Sequence, residues 1–293
     1  MKLPKSFERE NMEREEPIVY KYLRAKKKFP NIWCAGCGIG IVMGALIRAI
    51  DRLGLSKDEV VVISGIGCSG RMSVYLDFNT LHTTHGRALT FATGLKLARP
   101  DLKVIVVMGD GDALAIGGNH FIHSCRRNID LTAIIINNSI YGMTGGQVGP
   151  TTPLGAFSAT TPYGNLEPPF NIPELAIAAG ASFVARSTVY HAIELSRFIE
   201  KAILKKGFAV VEAVSYCHTH FGRMNNLRTP VEMMKALKEM AIPLQEYEKL
   251  PPEEKQGKIS RGIFLDKEAP EFVEEYEKLM ARFRAEGGDD GAV

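Results

Sequence analysis

The chain lacks any run approaching the ~18 consecutive apolar residues that a membrane span requires. Residues 1–30 hold no apolar stretch of the kind that opens a secretory leader, so a cytoplasmic protein is the expectation. A strong charge imbalance is missing too. A net charge of +3 over 293 residues argues against nucleic acid or a membrane surface as the main partner. Cysteine is scarce and odd in number, five residues at 34, 37, 68, 125 and 217. That argues against a disulfide framework and favours reduced thiols or metal ligation. No internal repeat is present, which excludes solenoids and propellers. What remains is 45% hydrophobic and 24% charged, a globular composition with enough apolar mass for one large core, or one core with an appendage.

The apolar residues fall into a regular order. Ile41, Val42, Ala45, Leu46, Ala49 and Ile50 recur at helical spacing until Gly54. Continuous apolar runs at 60–64, 104–108 and 131–138 read as buried strands, with helices expected over 86–98 and 118–128 between them. Further strands are expected at 182–186 and 208–215, with a helix over 188–206. Strand–helix–strand units of this length predict an α/β protein with an open, doubly wound, mostly parallel sheet. Ligands of such sheets bind at the carboxyl ends of the strands, and the unusual residues of this sequence fall just after the strands at 60–64, 104–108, 132–137 and 209–215. A Gly-, Pro- and Thr-rich stretch over 145–173 is expected to be a functional loop. Residues 1–30 are polar, which suggests an arm or partner-wrapping segment. After 226 the composition shifts to Lys, Glu and Met. Two regions are therefore expected, an α/β domain over 1–225 and a mostly helical extension over 226–293.

Two strand ends offer a clamp for a metal and a diphosphate. GDGDALAIGGNH begins at Gly109, and Asn138 follows Asp110 by 28 positions. Mg²⁺ seeks octahedral oxygen ligands and shares them with phosphates. Asp110 offers a carboxylate, Asn138 an amide oxygen and Ile140 a backbone carbonyl. Gly109 and Gly111 permit close approach of a phosphate, and the amides of Gly111 and Asp112 are placed to donate to it. The pattern is similar to the thiamine diphosphate motif of thiamine-dependent enzymes, which sits in the same strand–helix–strand context.

Cys34-Ala-Gly-Cys37 is a CxxC at a helix start, and Cys68 and Cys217 each follow a strand. Four thiolates suit one 4Fe–4S cluster. Structural zinc prefers two closely spaced pairs, which this spacing does not supply. Cys125 falls within a helix and is expected to be a packed core thiol.

In this order, WCAGCGIG, GIGCSGR, HTTHGRALTFATG, GDGDALAIGGNHFIHS and NNSIYGMTGGQ resemble the β subunit of 2-oxoacid:ferredoxin oxidoreductases, over roughly residues 30–225. The resemblance implies the thiamine diphosphate-binding fold and one 4Fe–4S cluster on Cys34, Cys37, Cys68 and Cys217. It implies cofactor contacts at Ile66, Gly67, Cys68 and Ser69, His85 near the pyrimidine or diphosphate end, and Gly142 and Met143 behind the thiazolium ring. It implies coenzyme A-dependent oxidative decarboxylation of a 2-oxoacid, or its reverse, with ferredoxin as electron carrier. No glutamate is placed by motif to activate the aminopyrimidine. The resemblance assigns that group to a pyrimidine-binding α subunit, so the active enzyme would be a hetero-oligomer. Arg71, three residues after Cys68, suits a substrate carboxylate. With Met143 it resembles the 2-oxoglutarate branch, the pyruvate branch tending to an apolar residue and an asparagine at these places. Three alternatives stay open. They are a non-redox thiamine decarboxylase or carboligase subunit, pyruvate as substrate, and a non-catalytic subunit carrying zinc.

Overall fold

The computed structural model describes residues 17–26 and 29–285. Most of the polar arm expected at the start, and residues 286–293 of the expected extension, therefore lie outside the described residues. Eight strands form one sheet: β1 (Val60–Ser64), β2 (Asn79–His82), β3 (Lys103–Gly109), β4 (Thr132–Asn137), β5 (Phe183–Thr188), β6 (Ala209–Val214), β7 (Ala241–Pro243) and β8 (Ile259–Asp266). Their order is β2-β1-β3-β4-β6-β5-β8-β7. Neighbours from β2 to β5 run parallel, and β8 joins β5 antiparallel.

The sheet forms because both its faces are covered. β1, β4, β5 and β6 are buried at every position, which is why their sequences are apolar with few interruptions, the charged ones being Arg186 in β5 and Glu212 in β6. Alternate residues serve two cores. Val60, Val62, Ile105, Val107, Ile134 and Ile136 pack beneath the helices Ile39–Arg52 and Ala192–Leu204. Val61, Ile63, Val104, Val106, Ala133 and Ile135 face the helices Ala88–Ala98 and Gly118–Arg127. Each valine or isoleucine among them contributes about 1.5–3 kcal/mol when fully buried. Cys125 belongs to the second core, fully buried, and burial pushes its thiol far above the usual range.

The stretch after 225 supplies more than helices. Besides Pro230–Met240 and Phe272–Ala285 it contributes β7 and β8 to the sheet. One charged pair is embedded in the sheet: Arg186 on β5 and Glu212 on β6 are register partners, Nε to Oε2 2.6 Å apart and almost fully buried. The Arg186 guanidinium also lies over the Phe264 ring of β8, so the antiparallel strand covers the pair. No helix among the described residues is long and apolar enough to cross a membrane.

Candidate functional site

The parallel strands deliver their carboxyl ends to one edge of the molecule. The loop after β1 brings Ile66, Gly67, Cys68 and Ser69. The turn after β2 brings His85, that after β3 brings Asp110, Gly111 and Asp112, and that after β4 brings Asn138, Ile140, Gly142 and Met143. These residues line one cleft, together with Gly109, Tyr141 and Thr144.

Asp112 ties three of the loops together. Its Oδ1 accepts from His85 Nδ1 at 2.5 Å, from the Gly86 amide at 2.7 Å and from the Ile66 amide at 3.4 Å. Its Oδ2 is buried without a partner. There is room for it only because residue 65 is glycine; a Cβ there would lie 1.7 Å from that oxygen. Gly111 likewise leaves no room beside Tyr141, whose ring would meet a Cβ at 2.2 Å. Burial pushes the Tyr141 hydroxyl up, with Asp110 and Asp112 adding to it.

Asp110 begins a buried π-helical turn. Burial pushes its carboxyl up to about 6, against the opposing effects of donors from Thr151 and the Asn138 amide. Thr151 Oγ1 reaches Oδ2 at 2.5 Å, and Asn138 N reaches Oδ1 at 3.4 Å. After Asn138 the chain turns through Ser139, held at φ 56° while Asn137 Oδ1 accepts from its amide and hydroxyl. This is a left-handed backbone that side chains adopt only where neighbours fix it. The Asn138 Oδ1 atom is buried with no partner. An orphaned amide oxygen beside a buried carboxylate fits a hard cation. The set holds a single carboxylate, so phosphate oxygens would have to complete the shell.

Cys34, Cys37, Cys68 and Cys217 line a second cavity with Arg71, Trp33, His218 and His220. The CxxC loop is pinned from two sides. Trp33 Nε1 donates to the Cys68 carbonyl at 2.7 Å, its ring packed on Tyr75. On the other side Gly36, at φ +82°, leaves no room for a Cβ against Pro230. Burial pushes the Cys37 thiol up to about 12, and Cys217, Cys68 and Cys34 push it further the same way. Cys68 is raised by burial and by Cys217 and Cys34. Bare thiolates here would repel one another, whereas a cationic metal core reverses that cost. Among the described residues no three His, Cys, Asp or Glu come close enough to share one metal ion. A cubane, with irons at separate corners, draws its thiolates from a wider ring than zinc does.

The two cavities share a wall. Cys68, Asn138, Gly142 and Met143 line both. A Cβ on Gly142 would lie 3.4 Å from Cys217 Sγ and 4.0 Å from Cys68 Sγ. Arg71 stands on the cysteine side, on a 3₁₀ turn begun by Ser69. Its guanidinium has no hydrogen-bond or ion-pair partner among the described residues. Sequence reasoning did not single out Gly65, Trp33, Tyr141, Thr151, His218 or His220. Only Trp33, the single tryptophan and a direct neighbour of Cys34, carried a local signal.

Residues 65–213 match the family model for the thiamine pyrophosphate enzyme, C-terminal TPP binding domain. The chain is 54% identical over 266 residues to the 2-oxoglutarate synthase subunit KorB of Methanocaldococcus jannaschii, covering 91% of this chain and 98% of that one. To the subunit of the same name from Archaeoglobus fulgidus it is 55% identical over 267 residues, covering 90% and 94%. Among solved structures it is similar to a 2-oxoglutarate:ferredoxin oxidoreductase from Magnetococcus marinus with 2-oxoglutarate, coenzyme A and succinyl-CoA bound. That likeness has a TM-score of 0.81 and 31% identity, over 96% of this chain and 95% of that one.

Proposed function

This chain belongs to the β subunits of the 2-oxoacid:ferredoxin oxidoreductases, and from that premise we propose how its residues divide the work. With an α subunit it converts 2-oxoglutarate and coenzyme A into succinyl-CoA and CO₂, passing the released electrons to ferredoxin, or runs the reductive reverse. The observation that carries the proposal is the shared wall. A thiamine-type cleft and a four-cysteine cavity meet at Cys68, Asn138, Gly142 and Met143, which suits carbon chemistry coupled to one-electron transfer. A non-redox decarboxylase would have no use for the second cavity.

When bound, thiamine diphosphate would supply the carbanion-stabilising chemistry and a 4Fe–4S cluster the one-electron steps. Asp110, Asn138 and the Ile140 carbonyl would hold Mg²⁺ against the diphosphate, with the Gly111 and Asp112 amides as donors. Asp112 holds His85 at the cleft mouth, so that one imidazole nitrogen is committed and the other is free to face the cofactor. Cys34, Cys37, Cys68 and Cys217 would hold the cluster. Gly142 lets the cleft floor approach two of those sulfurs closely, while Met143 and Ile66 offer apolar surface to a ring. Arg71, without a protein partner among the described residues, would grip the distal carboxylate of 2-oxoglutarate. Among the described residues the cleft lining includes Asp110 and Asp112 but no glutamate, which supports assigning the pyrimidine-activating glutamate to the α subunit. The proposed setting is the cytoplasm, where thiols stay reduced.

Anaerobic purification of the α/β complex tests the reading. Iron at about four per β chain, magnesium-dependent thiamine diphosphate binding, and dye reduction with 2-oxoglutarate in preference to pyruvate are expected. Stoichiometric zinc without iron would overturn the cluster assignment. Equal turnover of the two oxoacids would overturn the substrate.

A further inference from the structure

We infer that Thr151 is a positioning residue of the metal clamp, held in place through Asn137 by the buried Glu212–Arg186 pair. The inference rests on the reading of Asp110 as a metal ligand. Thr151 belongs to the long irregular segment between β4 and the helix Ile172–Ala178, yet it is buried. Its one hydroxyl proton has two acceptors in reach, Asp110 Oδ2 at 2.5 Å and Asn137 Oδ1 at 3.0 Å. The proton is shared in a three-centre bond, chiefly with the carboxylate, whose contact is the shorter and stronger, and more weakly with Asn137 Oδ1, so the two acceptors together set where that hydroxyl sits.

The Asn137 amide cannot turn over. Its Nδ2 donates to Glu212 Oε1 at 2.8 Å, and its Oδ1 accepts from Ser139 N and Oγ at 3.0 and 3.2 Å. Glu212 is held in turn, because Arg186 Nε donates to Oε2 at 2.6 Å while Arg186 Nη2 donates to Asn171 Oδ1 at 2.7 Å. Arg186, Glu212, Asn137, Thr151 and Asp110 thus form one buried chain across β5, β6, β4 and the β3 end. Behind it lies a larger cavity lined by Asn137, Thr151, Arg186 and Glu212. Without the Thr151 hydroxyl, Asp110 Oδ2 would lose the side-chain donor that holds it in place. With it, each oxygen is committed: Oδ1 to the Asn138 amide and Oδ2 to Thr151. Groups that orient a ligand in this way typically contribute 10- to 100-fold to metal affinity, as an order of magnitude.

The test uses the α/β complex, stripped of metal by chelation and then titrated with Mg²⁺ in the presence of thiamine diphosphate, with cofactor binding followed by calorimetry. Thr151→Val keeps the shape and removes the hydroxyl. It should weaken the apparent Mg²⁺ affinity by about 10- to 100-fold, leaving iron content and the KM for 2-oxoglutarate at saturating cofactor unchanged. Thr151→Ser should recover most of the loss. Asn137→Ala should weaken Mg²⁺ binding too, but add little to Thr151→Val, because residues acting through one another are not additive. A Thr151→Val complex that titrates within about twofold of wild type, or effects that multiply in the double variant, would overturn the inference. A wild-type complex that binds thiamine diphosphate equally well without Mg²⁺ would overturn the metal-clamp reading itself, and this inference with it.

Discussion

Replacing Arg71 by isoleucine in the α/β complex should separate the two oxoacids. The guanidinium has no protein partner among the described residues and lines the cavity that adjoins the cofactor cleft. Its removal therefore orphans no buried protein group, and the loss reflects the substrate contact alone. A hydrogen bond to a charged group contributes about 1.5–3 kcal/mol. At tenfold per ~1.4 kcal/mol, that is a fall of about 10- to 150-fold in kcat/KM for 2-oxoglutarate. Arg71 is partly exposed, where water screens the contact, so the lower half of that range is expected. Pyruvate has no distal carboxylate, and its rate should hold level or rise. Arg71→Lys should recover only part of the loss, because an ammonium cannot reproduce the planar two-point contact. The assay is anaerobic dye reduction with each oxoacid at saturating coenzyme A. Iron must be quantified first, because the Arg71 amide donates to the Cys68 carbonyl and a backbone shift would disturb the cysteine cavity. Equal losses on both substrates with iron intact would refute the carboxylate contact.

Cys217→Ser should lose or weaken the cluster while Cys125→Ser, in the apolar core, should keep it; iron analysis and the visible spectrum distinguish them. Asp110→Ala should abolish magnesium-dependent thiamine diphosphate binding with iron near wild type, read by cofactor titration. The Asp110 carboxyl, raised to about 6 in the metal-free fold, binds more protons folded than unfolded between its ordinary value of 3.8 and 6. Its ionisation therefore lowers metal-free stability as pH rises through that window, and Mg²⁺ must displace a proton below it. Apparent Mg²⁺ affinity should fall by about tenfold per pH unit below 6, and a flat profile between pH 5 and 7 would contradict the assignment. Gly65→Ala should force Asp112 away from His85 and suppress cofactor binding without touching iron. Trp33→Phe keeps an aromatic ring to pack on Tyr75 but removes the donor to Cys68, so iron should bleach faster in air, timed by the loss of visible absorbance.

The central strands were legible because parallel strands covered on both faces leave no polar alternation to confuse them. β2 was not, since Asn79, Thr80, Leu81 and His82 lie at an exposed sheet edge and carry no apolar run. β8 was hidden by Arg261 and Gly262 and by the Lys- and Glu-rich composition around it. The cysteines and the Asp110–Asn138 pair stood out because their side-chain chemistry is unusual wherever it occurs. Thr151 and Gly65 did not, since what they do depends on partners at Asp110 and Asp112 that are distant in sequence. Glu212 was a missed signal: a carboxylate inside the otherwise apolar run 208–215 predicts a buried partner, and Arg186 supplies it.

The shared wall limits how this protein can be altered. A change at Cys68, Asn138, Gly142 or Met143 is felt in both cavities at once, so neither can be remodelled there independently. Variation that leaves one cavity intact has to fall on residues belonging to the other alone, such as Arg71, His218 and His220 on one side or His85 and Tyr141 on the other. A library for a new substrate would begin with the first group. One for a modified cofactor would begin with the second.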